Sequence, residues 1–259
     1  MRLFRGRAST IEADRLASRR LLSSAGDEPA VRVWRPHRQV AFGRRDVARN
    51  GYDRAREAAR FAGFPPIERD VGGRAVAYDG ETTLAFARAD PVADPRRGLD
   101  ERYERATAAV ERALSQLGLE TIRDEPPDSF CPGARSLSLV ANATRSEGAR
   151  TDGDPAPGET ANARKVVGIA QRVRQEAAVT AGIVVVDGRE ELADVLGAVY
   201  DALGLSLEPD AVGSIATAGG PADTAAVRNA LETELAGDES VTVRPVSDLL
   251  DDSAAVDDR

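Results

Sequence analysis

The chain holds one histidine, one cysteine, one methionine, one tryptophan and one lysine in 259 residues. Each shortage excludes something. The single cysteine, Cys131, rules out an internal disulfide framework and a thiolate-rich metal site. The single histidine, His37, removes most zinc centres and Ser-His-Asp arrangements, so no metal site is expected. There is no G-x-G-x-x-G run and no Walker-type loop, which argues against a standard dinucleotide or P-loop site. No apolar run approaches the length of a membrane span, and Met1 to Arg7 lack an apolar signal core, so the expected location is the cytoplasm, with no membrane partner. A net charge of -8 and a pI near 5.0 leave no general basic face for nucleic acid or anionic lipid. Carboxylates in excess, with arginine displacing lysine almost completely, fit a protein adapted to concentrated salt.

The length suits one domain with a sizeable core. Ser9 and Glu12 form a capping-box pattern that opens a helix over 9–24. Ala30 to Trp34 and Gln39 to Phe42 read as strands joined by a turn that exposes His37. Asp46 to Ala62 reads as one helix ended by Gly63. Ile67 to Asp79 reads as a strand, a Gly72-Gly73 turn and a returning strand, with Thr82 to Arg88 as another strand. The most regular pattern is the helix from Leu99 to Leu117. Strands follow at 120–122 and 137–140. After a polar acidic insertion at 142–162 come two strands, around Lys165 and over 178–187. Helices at 190–203 and 224–235 precede an acidic tail over 241–259, frayed from Asp248. Paired strands with clustered helices indicate an α+β class.

Three stretches carry candidate chemistry. The only lysine, Lys165, begins the apolar strand Lys-Val-Val-Gly168-Ile-Ala-Gln171-Arg, where a point charge differs in function from a planar guanidinium. Cys131 stands in the Pro/Gly-bounded loop Ser-Phe-Cys-Pro-Gly, where a thiol can face outward and react. The Gly72-Gly73 turn exposes backbone N–H groups between Arg69 and Arg74, which can steer an anion or polar group to it.

Together, Arg69-Asp-Val-Gly72-Gly73-Arg74-Ala-Val, Ser-Phe-Cys131-Pro-Gly and Lys165-Val-Val-Gly168-Ile-Ala-Gln171-Arg resemble the lipoate/octanoate protein ligase and transferase family, which is related to the biotin protein ligases. The resemblance covers roughly residues 1–240 apart from the insertion. It implies a mixed, largely antiparallel sheet packed with helices around a narrow acyl pocket. It also implies a Cys131 nucleophile, a Lys165 contact to the acyl carbonyl, and substrate binding by Arg69, Gly72, Gly73, Arg74, Gly168 and Gln171. The cysteine loop is most similar to that of transferases that move octanoyl or lipoyl groups onto a lipoyl-domain protein, such as the glycine cleavage H protein or a 2-oxoacid dehydrogenase E2, from such a protein or from acyl carrier protein. Transfer of that kind requires no cofactor. Two alternatives stay open: an ATP- and Mg-dependent lipoate ligase with a separate accessory subunit, and a non-catalytic acyl- or lipoyl-protein binding module. The chain departs from many relatives at Tyr78-Asp79, where they have histidine, and around Leu84-Ala85, where Ser or Tyr is common.

Overall fold

The structure is a computed structural model that describes residues 1–26, 28–69, 73–133, 135–140, 162–174 and 176–251. The first part of the chain forms β1 (Arg2–Arg5), α1 (Ile11–Ser23), β2 (Ala30–Trp34), β3 (Gln39–Phe42), α2 (Arg44–Val47), α3 (Tyr52–Phe61), β4 (Pro66–Glu68), β5 (Val76–Tyr78) and β6 (Thr83–Pro91). The remainder forms α4 (Leu99–Gln116), β7 (Thr121–Ile122), β8 (Ser136–Val140), β9 (Ala163–Val173), β10 (Ala177–Val185), α5 (Arg189–Ala202), α6 (Thr224–Ala236), β11 (Thr242–Pro245) and α7 (Asp248–Asp251).

Eight strands make one mixed sheet in the order β11-β1-β2-β6-β10-β9-β8-β7, and a small sheet, β4-β3-β5, lies apart from it. Strands β11, β1 and β2 run parallel, while the pairs from β2 to β7 are antiparallel. Side-chain alternation then assigns the faces. Leu84 and Phe86 of β6, with Val184 of β10, pack beneath Val110 and Leu114 of α4 and Leu231 of α6. On the other face, Ala87 and Ala89 meet Leu21 and Leu22 of α1. Ile183 and Val185 turn toward Phe42 and Val76 of the small sheet and Leu196 and Tyr200 of α5. The expected α+β class and mixed sheet are therefore observed.

Several local expectations give way to packing. The first helix is capped by Thr10, whose hydroxyl accepts from Ala13 N–H at 3.1 Å, one residue later than the Ser9 box. His37 is half-buried, with Nε2 2.8 Å from the Ala8 carbonyl. The helix expected over 46–62 is two, because at Gly51 the chain lies against α5: a Cβ there would sit 1.9 Å from the Ala202 carbonyl oxygen. β4 and β5 do not form a hairpin. Both pair with β3, β4 in parallel and β5 antiparallel, so the glycine segment is a crossover. Of the 142–162 insertion, residues 142–161 lie outside the described residues. The fold does not stop at 240: β11 pairs with β1 in parallel, and Leu249 of α7 is buried against the α1 cluster.

Candidate active site

A register break in β9 delivers Lys165 to the site. Ser138 pairs with Lys165 but Leu137 pairs with Val167, so β9 carries one extra residue, Val166. Such a bulge shifts the alternation by one. Val166 and Val167 both enter the core under α4 and α6, and Lys165 shares the opposite face with Gly168, where a Cβ would lie 3.5 Å from Lys165 Cε. Were the same residues to run as a regular strand without the bulge, the ammonium would share the face of Val167 and point into that apolar core.

Lys165 is 0% exposed, and its Nζ donates to Glu125 Oε1 and Oε2 at 3.0 and 3.1 Å and to the carbonyls of Phe130 and Cys131 at 2.9 and 3.0 Å. Burial pushes its pKa down, and the Glu125 carboxylate opposes that shift. The ammonium also lies 5.0 Å from the centroid of the Phe130 ring.

Cys131 has φ +43, a left-handed backbone that non-glycine residues seldom adopt. Its N–H donates to the Tyr200 hydroxyl at 2.6 Å, and that hydroxyl donates to the Ala75 carbonyl at 3.1 Å, tying the loop to α5 and to the start of β5. Burial raises the Tyr200 pKa, which keeps the hydroxyl neutral. The cation beside the sulfur is Arg69, with Nη2 3.4 Å from Sγ; Lys165 holds the carbonyl of Cys131 instead. Arg69 also donates to the Arg74 carbonyl, while its buried Nε has no partner among the described residues. Burial works to lower the Arg69 pKa, but the sulfur and the Tyr78 oxygen outweigh it, and the net shift is upward. Gly73, at φ +95, makes room for this contact: a Cβ would sit 2.8 Å from Arg69 Nη2 and 2.9 Å from Cys131 Sγ.

Sulfur and guanidinium face a cavity of about 250 Å³, whose walls include Trp34, Val76, Tyr78, Phe86, Ile169 and Ile183. Gly168 and Gly182 keep its sheet side open. Gly182 is the closer approach, since a Cβ there would meet the Phe86 ring and the Gly168 carbonyl at 2.6 Å. Burial raises the Tyr78 pKa against the opposing pull of Arg69, so the phenol stays protonated.

The structure thus brings together Cys131, Lys165, Arg69, Gly73 and Gly168, while Gly72 lies outside the described residues. Arg74 and Gln171 are elsewhere. Arg74 turns to the buried Asp46, 3.5 Å away. Gln171 donates to Thr180 Oγ1 at 3.0 Å and accepts from Arg102 at 3.1 Å, fastening α4 to the sheet. Lys165 Nζ is held by Glu125 and by two loop carbonyls. Sequence reasoning passed over Glu125 and Tyr200. A buried lysine needs a carboxylate, so the three acids just before the cysteine loop, Asp124, Glu125 and Asp128, were the available signal, without a means of choosing among them. Asp79 accepts from the N–H groups of Glu81, Thr82 and Thr83 and serves the turn into β6.

A model of the lipoyl protein ligase A/B catalytic domain matches residues 14–236. The octanoyl-[GcvH]:protein N-octanoyltransferases of Kyrpidia tusciae and Exiguobacterium sibiricum are 34% identical over 130 residues and 30% identical over 122. Those matches cover 49% and 46% of this chain and 43% and 42% of the relatives, less than half the length of either. The bi-partite lipoate protein ligase of Thermoplasma acidophilum, solved in a study of an archaeal lipoylation system with its E2 lipoyl domain, superposes with a TM-score of 0.65 at 19% identity, over 96% of this chain and 89% of that one. At that identity the likeness is one of fold.

Proposed function

We propose that this chain, which belongs to the lipoyl protein ligase A/B catalytic domain family, transfers an octanoyl or lipoyl group to the lysine of a lipoyl-domain protein through a thioester on Cys131. The observation that carries the reading is a sole thiol facing an apolar cavity with a guanidinium 3.4 Å from its sulfur. The curated relatives are named for octanoyl transfer from octanoyl-[GcvH], which supports octanoyl as the acyl group and a lipoyl-domain protein as donor. Burying seven aliphatic carbons at about 0.8 kcal/mol each would contribute roughly 5–6 kcal/mol, enough to select an acyl donor by its chain.

In the first half-reaction the thiolate adds to the acyl carbonyl of the donor, and the donor's lysine nitrogen leaves as the amine after taking a proton. In the second, the acceptor lysine adds to the thioester, loses a proton and expels the thiolate. The Cys131 N–H is engaged with Tyr200, so the developing oxyanion must find another donor. Arg69 Nε, which has no partner among the described residues, is the candidate. No cofactor enters either step.

Intact-mass spectrometry after incubation with an octanoylated lipoyl-domain protein tests this. A hydroxylamine-labile octanoyl adduct is expected on the native chain and not on Cys131→Ala, with transfer lost in the variant. Full transfer by the alanine variant, or acylation of a lipoyl domain only when ATP and Mg are supplied with free lipoate, would replace the proposal with the ligase reading.

A further inference from the structure

Glu125 lies outside the chemistry just described, yet it has the densest set of contacts beside the thiol. Its carboxylate accepts from Lys165 Nζ, from the hydroxyls of Ser129 and Ser136, and from Gly133 N–H at 3.2 Å. These donors occupy the roughly four acceptor positions that an ionised carboxylate has. Ser129 lies before Cys131 in the loop, and Gly133 and Ser136 after it. One carboxylate therefore closes both flanks of the loop, while the ammonium that it holds takes the carbonyls of Phe130 and Cys131 from the middle. A left-handed Cys131 persists only where its surroundings determine the backbone more strongly than its own preference does.

We propose that Glu125 is the positioning residue of the thiol. Its carboxylate locks Lys165 and both flanks of the 129–136 loop, and that lock keeps Cys131 left-handed with Sγ against Arg69 and inside the cavity. The consequence for rate rests on Cys131 being the nucleophile; the consequence for geometry does not.

The test compares the native chain with Glu125→Gln, which keeps the shape and loses the charge, and with Glu125→Asp, which restores the charge on a shorter arm. Cys131 is alkylated with iodoacetamide in the presence and absence of octanoate, and kcat and KM are measured for octanoyl transfer. Octanoate is expected to slow alkylation of the native thiol, since both occupy one cavity. In Glu125→Gln that protection falls at least 10-fold and kcat falls about 100-fold with KM for the donor little changed, as a thiol displaced by an ångström implies. Glu125→Asp recovers part of both. Native protection together with native kcat in Glu125→Gln would overturn the proposal. If Glu125→Gln does not fold, Ser129→Ala combined with Ser136→Ala removes two donors from the carboxylate and leaves the Lys165 pair intact. The same direction of loss is expected there, and unchanged protection would overturn the proposal. A native chain that transfers nothing from any donor would end the catalytic reading, and the protection assay would still decide the role of Glu125.

Discussion

At the scale of single residues, the buried ammonium of Lys165 dominates the energetics of the site. Lys165→Met removes the charged donor from Glu125 and the ammonium that binds two loop carbonyls, and a loss of about 2–3 kcal/mol is expected in urea denaturation at neutral pH. The pH dependence has a definite sign. The lysine pKa is lower in the folded chain than its ordinary 10.5, so between those values the unfolded chain binds more protons and stability rises with pH. Native stability relative to Lys165→Met should therefore grow as pH climbs toward 10.5, and parallel melts at pH 7 and at alkaline pH check this. Composition alone singled out Lys165 and Cys131, because a residue type used once is conspicuous. It could not separate Arg69 from Arg74, five residues apart in one motif, since their division between sulfur and Asp46 is decided by side-chain reach across the crossover. Glu125 was hidden among 43 acidic residues.

At the scale of elements, period and punctuation read well where a segment packs by its own pattern. The helix expected over 99–117 is α4, and the strands expected at 30–34 and 39–42 are β2 and β3 within the same bounds. They read poorly where a distant backbone intrudes. The 46–62 pattern looked continuous because nothing local announces that residue 202 will press against Gly51. The same contact gives a prediction. Gly51→Ala must push a methyl group into the Ala202 carbonyl, and because Arg49 binds the Leu203 and Gly204 carbonyls beside it, the two helices cannot separate freely. About 3 kcal/mol or more of stability should be lost, read as a lower midpoint of thermal or urea unfolding with the overall secondary structure kept below it. The bulge at Val166 was equally invisible, since Val-Val in a strand gives no sign of which valine is extra.

At the scale of the whole molecule, three tyrosines set the alkaline limit of the fold. Tyr52 is pushed up to about 12, by burial first and by its hydrogen bond to Glu68 second, and burial also raises Tyr78 and Tyr200. Each is raised, so each contributes stability in full below the unfolded value near 10.0, and that stability is lost as pH rises through the folded values. Between about pH 10 and 12 the loss through Tyr52 should approach about 1.4 kcal/mol per pH unit, and Tyr78 and Tyr200 act in the same direction. Tyrosinate absorbance and far-ultraviolet circular dichroism, followed in one titration, should therefore change together. The sheet order carries a further consequence, for covalent continuity. Val140 pairs with Ala163, so the ends of β8 and β9 are neighbours by strand pairing, whatever chain joins them. A piece ending at 140 would supply β1, β2, β6, β8 and β7. The piece from 163 would slot β10 and β9 between β6 and β8 and lay β11 along β1, three separate seams in one sheet. Cys131 and Glu125 would arrive on one piece and Lys165 on the other, which makes this site a natural fragment-complementation reporter: two inert halves whose reassembly is read as a working thiol.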